Sequence, residues 1–271
     1  MQQIVVFTDL DGTLLDHFSY SYAPAQPMLE RLQALGVPVI FNSSKTLGEI
    51  SLLCRELNNK HPFVGENGAV VGVPSGYFPN TLSDGTLNVR QLGVSHDQLL
   101  SFLSRIRDEK GYNFKGFSDY SAEELADFTG LSVKKADLAK QRSGSEPIQW
   151  LDTEEALTTF NGLVEQAGLK LVKGGRFIHL SGENDKVLGV RWLTEQYKTS
   201  KPDREFVTVA LGDSPNDRGM LEEVDFAVVI DPAQGDPLTL SSKGKVIYPH
   251  REGPEGWNMG MKEVLHSLGH S

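Results

Sequence analysis

The chain has 271 residues, enough for one large domain or two smaller ones, and 39% of them are hydrophobic, enough for a core. Its 36 acidic side chains outnumber 26 basic ones, and the formal charge of −10 excludes a basic DNA or RNA footprint while leaving room for local donors around a small anion. One cysteine, Cys54, excludes an intrachain disulfide, and no apolar run approaches a secretory leader or the ~20 residues of a membrane helix, so a cytoplasmic location is expected.

Ile4 to Phe7 reads as a buried strand that runs into "TDLDGTLL". Pro24 to Ala34 carries Met28, Leu29 and Leu32 at helical spacing, and Gly36 stops it. "VPVIF" (37–41) is a second strand, ending in "FNSSKT" (41–46), and "TLGEISLLCRELN" a second helix. "PFVGENGAVV" brings a short strand and a turn. The Gly/Pro/Ser-rich stretch over 72–85 reads as a linker.

From about Leu87 to Leu180 the strands are less apolar and the helices longer and more charged. "SHDQLLSFLSRIRDEKG" and "TEEALTTFNGLVEQAG" are amphipathic helices. "LKLVKGG" and "RFIHLSG" read as strands joined around Gly174-Gly175. "SGEND" (181–185) would be the return. Beyond it, "EFVTVALGD" is a buried strand, "SPNDRGMLEEV" a helix, and "FAVVI" and "KVIYP" two more strands. "REGPEGWNMG" (251–260) reads as a glycine-rich acidic loop.

Strands alternating with helices imply βαβ units and a parallel sheet covered on both faces. The expected fold is α/β, a Rossmann-like parallel-sheet core over 1–84 and 185–271, with an α+β cap inserted over 85–184.

Ligands of such sheets sit beyond the carboxyl ends of the strands. Asp9 and Asp11 stand at one such end, and carboxylates this close repel unless a cation or a shared proton compensates. A hard divalent ion, Mg²⁺, is the simplest compensation. "VALGDSPND" (209–217) repeats the pattern with Asp213 and Asp217. Ser43, Ser44 and Lys45 end another strand, where hydroxyls and helix-start N–H groups suit phosphate oxygens. Lys186 supplies a cation. A solvated Asp-Gly turn is the ordinary reading of "DLDGT" alone, but not of these segments together.

This set resembles the haloacid dehalogenase superfamily of phosphohydrolases, in the branch with a large cap between the second and third motifs, as in Cof-type phosphatases. The resemblance implies that Asp9 is the nucleophile and that Asp11 protonates the leaving alcohol and then activates water. It implies that Ser43, or Ser44 beside it, binds the phosphoryl group and that Lys186 neutralises charge. It gives Mg²⁺ the ligands Asp9, Asp11 through its carbonyl, and Asp213, with Asp217 supporting the metal or Lys186.

"GENGA" (65–69), with Glu66 and Asn67, resembles the loop of cap-bearing relatives. "KQRSGSEPIQW" (140–150), with Arg142, Ser145 and Glu146, "GGRFIHL" (174–180), with Arg176 and His179, and the terminal "GPEGW" resemble the mannosyl-3-phosphoglycerate phosphatase family. The implied reaction releases phosphate from 2-O-mannosyl-3-phosphoglycerate and leaves mannosylglycerate, a compatible solute. Ser44, Lys45, Glu66, Asn67, Arg142, Ser145, Glu146, Arg176 and Asn216 are then the substrate-binding candidates. Val187 and Ser143-Gly144 depart from the family pattern, which leaves glucosyl-3-phosphoglycerate or a general sugar phosphate as alternatives. A regulatory module on a dead scaffold is disfavoured, since Asp9, Asp11, Lys186 and Asp213 are all present. Arg176 also reads as a surface arginine, His179 as a packed histidine and Trp257 as core. The expected partner is a small phosphorylated substrate, with no nucleic acid and no membrane.

Overall fold

The computed structural model describes residues 2–173 and 176–270. The strands are β1 (Gln3–Thr8), β2 (Val39–Asn42), β3 (Phe63–Gly65), β4 (Val70–Val73), β5 (Asn88–Gln91), β6 (Phe114–Gly116), β7 (Ser145–Trp150), β8 (Leu169–Lys173), β9 (Ile178–Gly182), β10 (Phe206–Gly212), β11 (Phe226–Val229) and β12 (Lys245–Ile247). The helices are α1 (Gln26–Ala34), α2 (Leu47–Glu56), α3 (His96–Lys110), α4 (Ala122–Thr129), α5 (Val133–Lys140), α6 (Glu154–Gln166), α7 (Lys186–Ser200), α8 (Arg218–Glu223) and α9 (Gly253–Ser267).

Eight strands form one sheet in the order β12-β11-β10-β1-β2-β3-β4-β5. The first six run parallel, β4 runs against them, and β5, antiparallel to β4, points their way again. This is the expected α/β architecture. Unbroken apolar runs build it because both faces are covered. Val6, Phe41, Leu211 and Val228 pack on α1, α2 and α9 through Leu32, Ile50, Trp257 and Met261. Val5, Phe7, Ala210 and Val229 face the other way, onto Val190, Leu193 and Met220 of α7 and α8. Each Val, Leu, Ile, Phe or Met among them stabilises the fold by about 1.5–3 kcal/mol when fully buried.

A second, antiparallel sheet has the order β6-β7-β9-β8. Its apolar side, Phe114, Ile148 and Leu180, packs on Leu99 and Leu103 of α3 and Phe160 and Val164 of α6. β8 and β9 pair in hairpin register, Lys173 opposite Ile178. Gly174 and Gly175, expected to turn the chain, lie outside the described residues.

The structure departs from the sequence expectations in three places. The stretch over 72–85 is no free linker: Phe78 is buried in the core, and the Tyr77 hydroxyl lies 2.6 Å from that of Tyr197. β5, inside the span expected for the insertion, is an edge strand of the large sheet, so the chain leaves that sheet after Gln91. Glycine and proline mark turns, but buried aromatic anchors decide whether a segment packs. Second, α4 and α5 fill a stretch where no helix was expected; each is only 8 residues long, capped by Ser121 and Ser132. Third, the segment expected as a loop over 251–260 opens α9, with Pro254 in its first turn, where a missing N–H costs nothing.

Candidate active site

β1 and β10 are parallel neighbours, so Asp9 and Asp213 emerge side by side past their carboxyl ends. The Asp9 N–H still donates to the Leu211 carbonyl at 3.0 Å, which extends the ladder into the site. Gly12 then turns the chain back, with φ +87; a Cβ there would stand 2.8 Å from Asp213 Oδ2. Only glycine meets both demands. The Thr13 hydroxyl donates to Asp213 Oδ1 at 2.6 Å. Trp257, wholly buried, donates from Nε1 to the Thr8 hydroxyl at 2.9 Å, and that hydroxyl donates to the Asp9 carbonyl at 2.7 Å. Thr13 and Thr8 are site residues that sequence reading missed; both adjoin the two aspartates of the first motif.

α7 starts at Lys186, capped by Asp185, and aims the ammonium into the same corner. Lys186 Nζ donates to Asp9 Oδ1 and, at 2.6 Å, to Asp217 Oδ1. Burial opposes the charge on Lys186, but Asp217 and Asp9 outweigh it and hold the ammonium pKa above its usual value. Asp9 is pushed up to about 8, first by burial; Lys186 counteracts this, while Asp217, Asp213 and Asp11 add to it. Asp213 is pushed up to about 6, chiefly by burial. The corner therefore holds more carboxylate charge than its lysines balance.

Oxygens of Asp9, Asp213 and Asp217 lie within 4.8 Å of one another, an all-oxygen donor set that suits Mg²⁺. Asp217 is the least available of them. Its Oδ1 holds Lys186, and its Oδ2 accepts from the Asp213 N–H at 3.1 Å and from the Ser214 N–H and hydroxyl at 3.0 Å. Asp9 and Asp213 are the carboxylates left for an ion, and Asp217 holds Lys186.

Asp11 stands across from them. Its Oδ2 pairs with Lys45 Nζ at 2.7 Å, and its Oδ1 is buried without a hydrogen-bond partner. Ser43 is buried at the end of β2 and its Oγ accepts from the Lys45 N–H at 3.3 Å, whereas Ser44 is exposed. Asn42, not singled out from sequence, donates from Nδ2 to the Lys186 carbonyl at 3.0 Å, joining β2 to α7.

The remaining candidates divide. Arg142 reaches the loop that follows β2, with a guanidinium nitrogen 3.1 Å from the Ser44 carbonyl. Asn67 and Asn216 meet through their carboxamides at 3.2 Å. Glu66 and Ser145 bond each other at 2.6 Å. Glu146, expected to bind substrate, is instead wholly buried: Oε1 accepts from the Ser118 N–H and hydroxyl at 2.8 and 2.7 Å, and Oε2 meets His96 Nε2 at 2.7 Å. Arg176 caps the end of α4, donating to the Phe128 and Thr129 carbonyls at 3.0 Å. His179 is half-buried in β9 and pushed down to about 4, first by burial and then by Arg142.

Comparison with known proteins shows the family. Residues 6–238 match the family model described as haloacid dehalogenase-like hydrolase, and the chain belongs to that family. It is 39% identical over 269 residues to the glucosyl-3-phosphoglycerate/mannosyl-3-phosphoglycerate phosphatase of Methanococcoides burtonii, covering 96% of this chain and 97% of that one. The protein of the same description from Persephonella marina is 35% identical over 271 residues, with 98% of each chain covered. Among solved structures, a Thermoplasma acidophilum protein superposes with a TM-score of 0.64 at 17% identity, covering 100% of both chains, and so shares the fold.

Proposed function

We propose that this phosphoric monoester hydrolase removes phosphate from glycosyl-3-phosphoglycerates, the mannosyl and the glucosyl ester alike, with Mg²⁺ as its cation. The observation that carries the chemistry is the contact of Asp9 with the Lys186 ammonium at the carboxyl end of β1, two residues before Asp11. Asp9 attacks phosphorus and forms an aspartyl-phosphate, while the ester P–O bond breaks. Asp11 gives its proton to the departing alcohol oxygen. It then takes a proton from the water that attacks the aspartyl-phosphate, which releases phosphate and restores Asp9. Dividing one displacement into two lets a single pair of carboxylates serve as nucleophile and proton carrier.

Ser43 and the N–H groups at the start of α2 hold phosphoryl oxygens. Lys186 offsets their charge and keeps Asp9 oriented. Asp9 and Asp213 would hold Mg²⁺, which would supply the positive charge that lets a carboxylate approach a phosphate dianion. The smaller sheet and its helices act as the cap that selects the ester. Arg142 is its reader, since a guanidinium fork fits a carboxylate such as that of glycerate.

The substrate class is supported by the descriptions of both relatives, which name both sugars. The product would be a glycosylglycerate, a compatible solute. Among the described residues no helix is long and apolar enough to cross a membrane. Phosphate release from mannosyl- and glucosyl-3-phosphoglycerate, simple sugar phosphates and p-nitrophenyl phosphate, with Mg²⁺ and after chelation, tests the reading. The two glycosyl esters should lead the panel. A flat panel would overturn the substrate class, and full activity after chelation would overturn the cation.

A further inference from the structure

Glu66 carries a carboxylate that the chemistry at Asp9 does not use. It is 2% exposed and lies in the left-handed region, φ +51, which a glutamate seldom adopts unless its surroundings hold it. Its backbone belongs to the core: the Glu66 N–H donates to the Lys45 carbonyl, and the Asn67 N–H to the Ser43 carbonyl, both at 3.0 Å. Its side chain belongs to the smaller sheet. Oε1 accepts the Ser143 N–H at 2.7 Å; Oε2 accepts the Gly144 N–H at 3.0 Å and the Ser145 hydroxyl at 2.6 Å. Arg142, one residue before Ser143, closes the circuit. Its guanidinium donates to the Ser44 carbonyl at 3.1 Å and to Ser145 Oγ at 3.4 Å. The path thus leaves the loop over 43–45 and returns to it.

Both chain crossings pass the same point. Gly93 N–H, on the outward crossing, donates to the Ala69 carbonyl at 3.0 Å. Asn184, on the return, donates from Nδ2 to the Glu66 and Asn67 carbonyls at 3.3 Å. Gly68 lies so close to the Asp185 carbonyl that a Cβ would stand 1.8 Å from its oxygen. Two linkers alone leave a sheet free to swing. A buried, charged third attachment beside them fixes a pivot, and hydrogen bonds to charged groups are the stronger kind.

We propose that Glu66 is a positioning residue for substrate selection: its carboxylate clasps Ser143, Gly144 and Ser145 and thereby sets Arg142 over the phosphate-side loop. This rests on the reading of Arg142 as the group that grips the glycerate end, and it adds the residue that aims it. Every hydrogen of the clasp points at an acceptor, so Glu66→Gln, which keeps the size, turns an NH₂ toward a donor that needs an oxygen.

The experiment compares wild type, Glu66→Gln, Arg142→Ala and the double variant on a glycosyl-3-phosphoglycerate and on p-nitrophenyl phosphate. Glu66→Gln should lower kcat/KM for the glycosyl ester about tenfold more than for the aryl ester, mainly through KM. The double variant should lose no more than Arg142→Ala does, because the clasp acts through the guanidinium. Additive losses, or equal losses on both esters, would overturn the proposal. If Glu66→Gln does not fold, Ser145→Ala removes one bond of the clasp and should show the same preference and the same non-additivity. Amide hydrogen exchange needs no substrate. It should be slow at Ser143 and Gly144 in wild type and about tenfold faster in the clasp variant; fast exchange in wild type would refute the clasp. Wild-type enzyme inactive on both glycosyl esters would sink the substrate reading, and the exchange rates would then decide the clasp.

Discussion

Lys186 and Asp217 form an ion pair with Nζ 2.6 Å from Oδ1 and neither side chain exposed to solvent. Removing two charges from water is costly, and the pair is tolerable because further partners share both charges. Asp9 takes another ammonium hydrogen, and two backbone N–H groups and the Ser214 hydroxyl take the second Asp217 oxygen. Asp217 thus acts on Lys186 and on the loop after β10.

Asp217→Asn should separate that role from metal binding. Breaking one partner of a buried pair costs about 3–5 kcal/mol, so the melting temperature should fall, and activity should fall with it as Lys186 loses its anchor. The Mg²⁺ concentration for half-activation should stay where it is. Asp213→Ala should raise it, because Asp213 is the carboxylate free to hold an ion beside Asp9. Mg²⁺ titrations of phosphate release, with thermal melts of both variants, check this. An equal Mg²⁺ shift in the two variants would make Asp217 a ligand.

Asp9→Asn should abolish turnover and leave the chain folded. The amide retains the shape and the backbone link to Leu211, but it loses the nucleophile and one charged ligand. It also relieves a crowded corner in which burial and the neighbouring carboxylates already oppose the charge on Asp9. Stability should therefore hold better than in Asp217→Asn. Steady-state phosphate release near the wild-type rate, with mass spectrometry showing no deamidation, would remove Asp9 from the mechanism.

What the sequence disclosed follows from where information sits in a chain. Asp9, Asp11 and Asp213 are tied to strand ends by a few neighbours, so a short segment fixes both their type and their place. Lys186 opens a helix, and its reach into the corner follows from that. Glu146 and Arg176 show the opposite case. A carboxylate beside a strand start and an arginine beside a hairpin are suitable residue types for gripping a substrate, but direction depends on distant partners. His96, 50 residues away in sequence, turns Glu146 inward, and the carbonyls that end α4 claim Arg176. α5 escapes a sequence reading because its buried face is only Ala136 and Ala139 and leaves a weak apolar stripe, and α4 because its 8 residues give the helical period little more than two turns to repeat. Trp257 reads as core and is fully buried, but the glycines around it hid that the segment carrying it is the start of α9 and not a loop.

His179 should make the fold sensitive to mild acid. Burial, with Arg142 nearby, lowers its pKa from 6.5 to about 4 in the folded chain. Between those values the unfolded chain binds a proton that the folded chain refuses, so stability falls as pH drops through this window and is regained as pH rises. His179→Gln cannot titrate there. Its urea midpoint should decline less than that of wild type between pH 7 and pH 5. Parallel declines would show that other groups set the acid limb.

Arg142 offers the sharpest test of where specificity lies. Its Nε donates to the Ala139 carbonyl at 2.8 Å, and its outer nitrogen reaches the Ser44 carbonyl, so the guanidinium is held at the seam between the two sheets. If it grips the glycerate carboxylate, Arg142→Ala should damage the glycosyl esters and largely spare p-nitrophenyl phosphate, which has no carboxylate to lose. A lost charge-assisted hydrogen bond costs about 1.5–3 kcal/mol, or about ten- to a hundredfold in kcat/KM. Arg142→Lys should recover only part of that loss, since an ammonium keeps the charge but not the planar fork. Equal damage to both esters would assign Arg142 to closure of the seam. No damage to either would move specificity elsewhere, and with full recovery by lysine the charge alone would suffice.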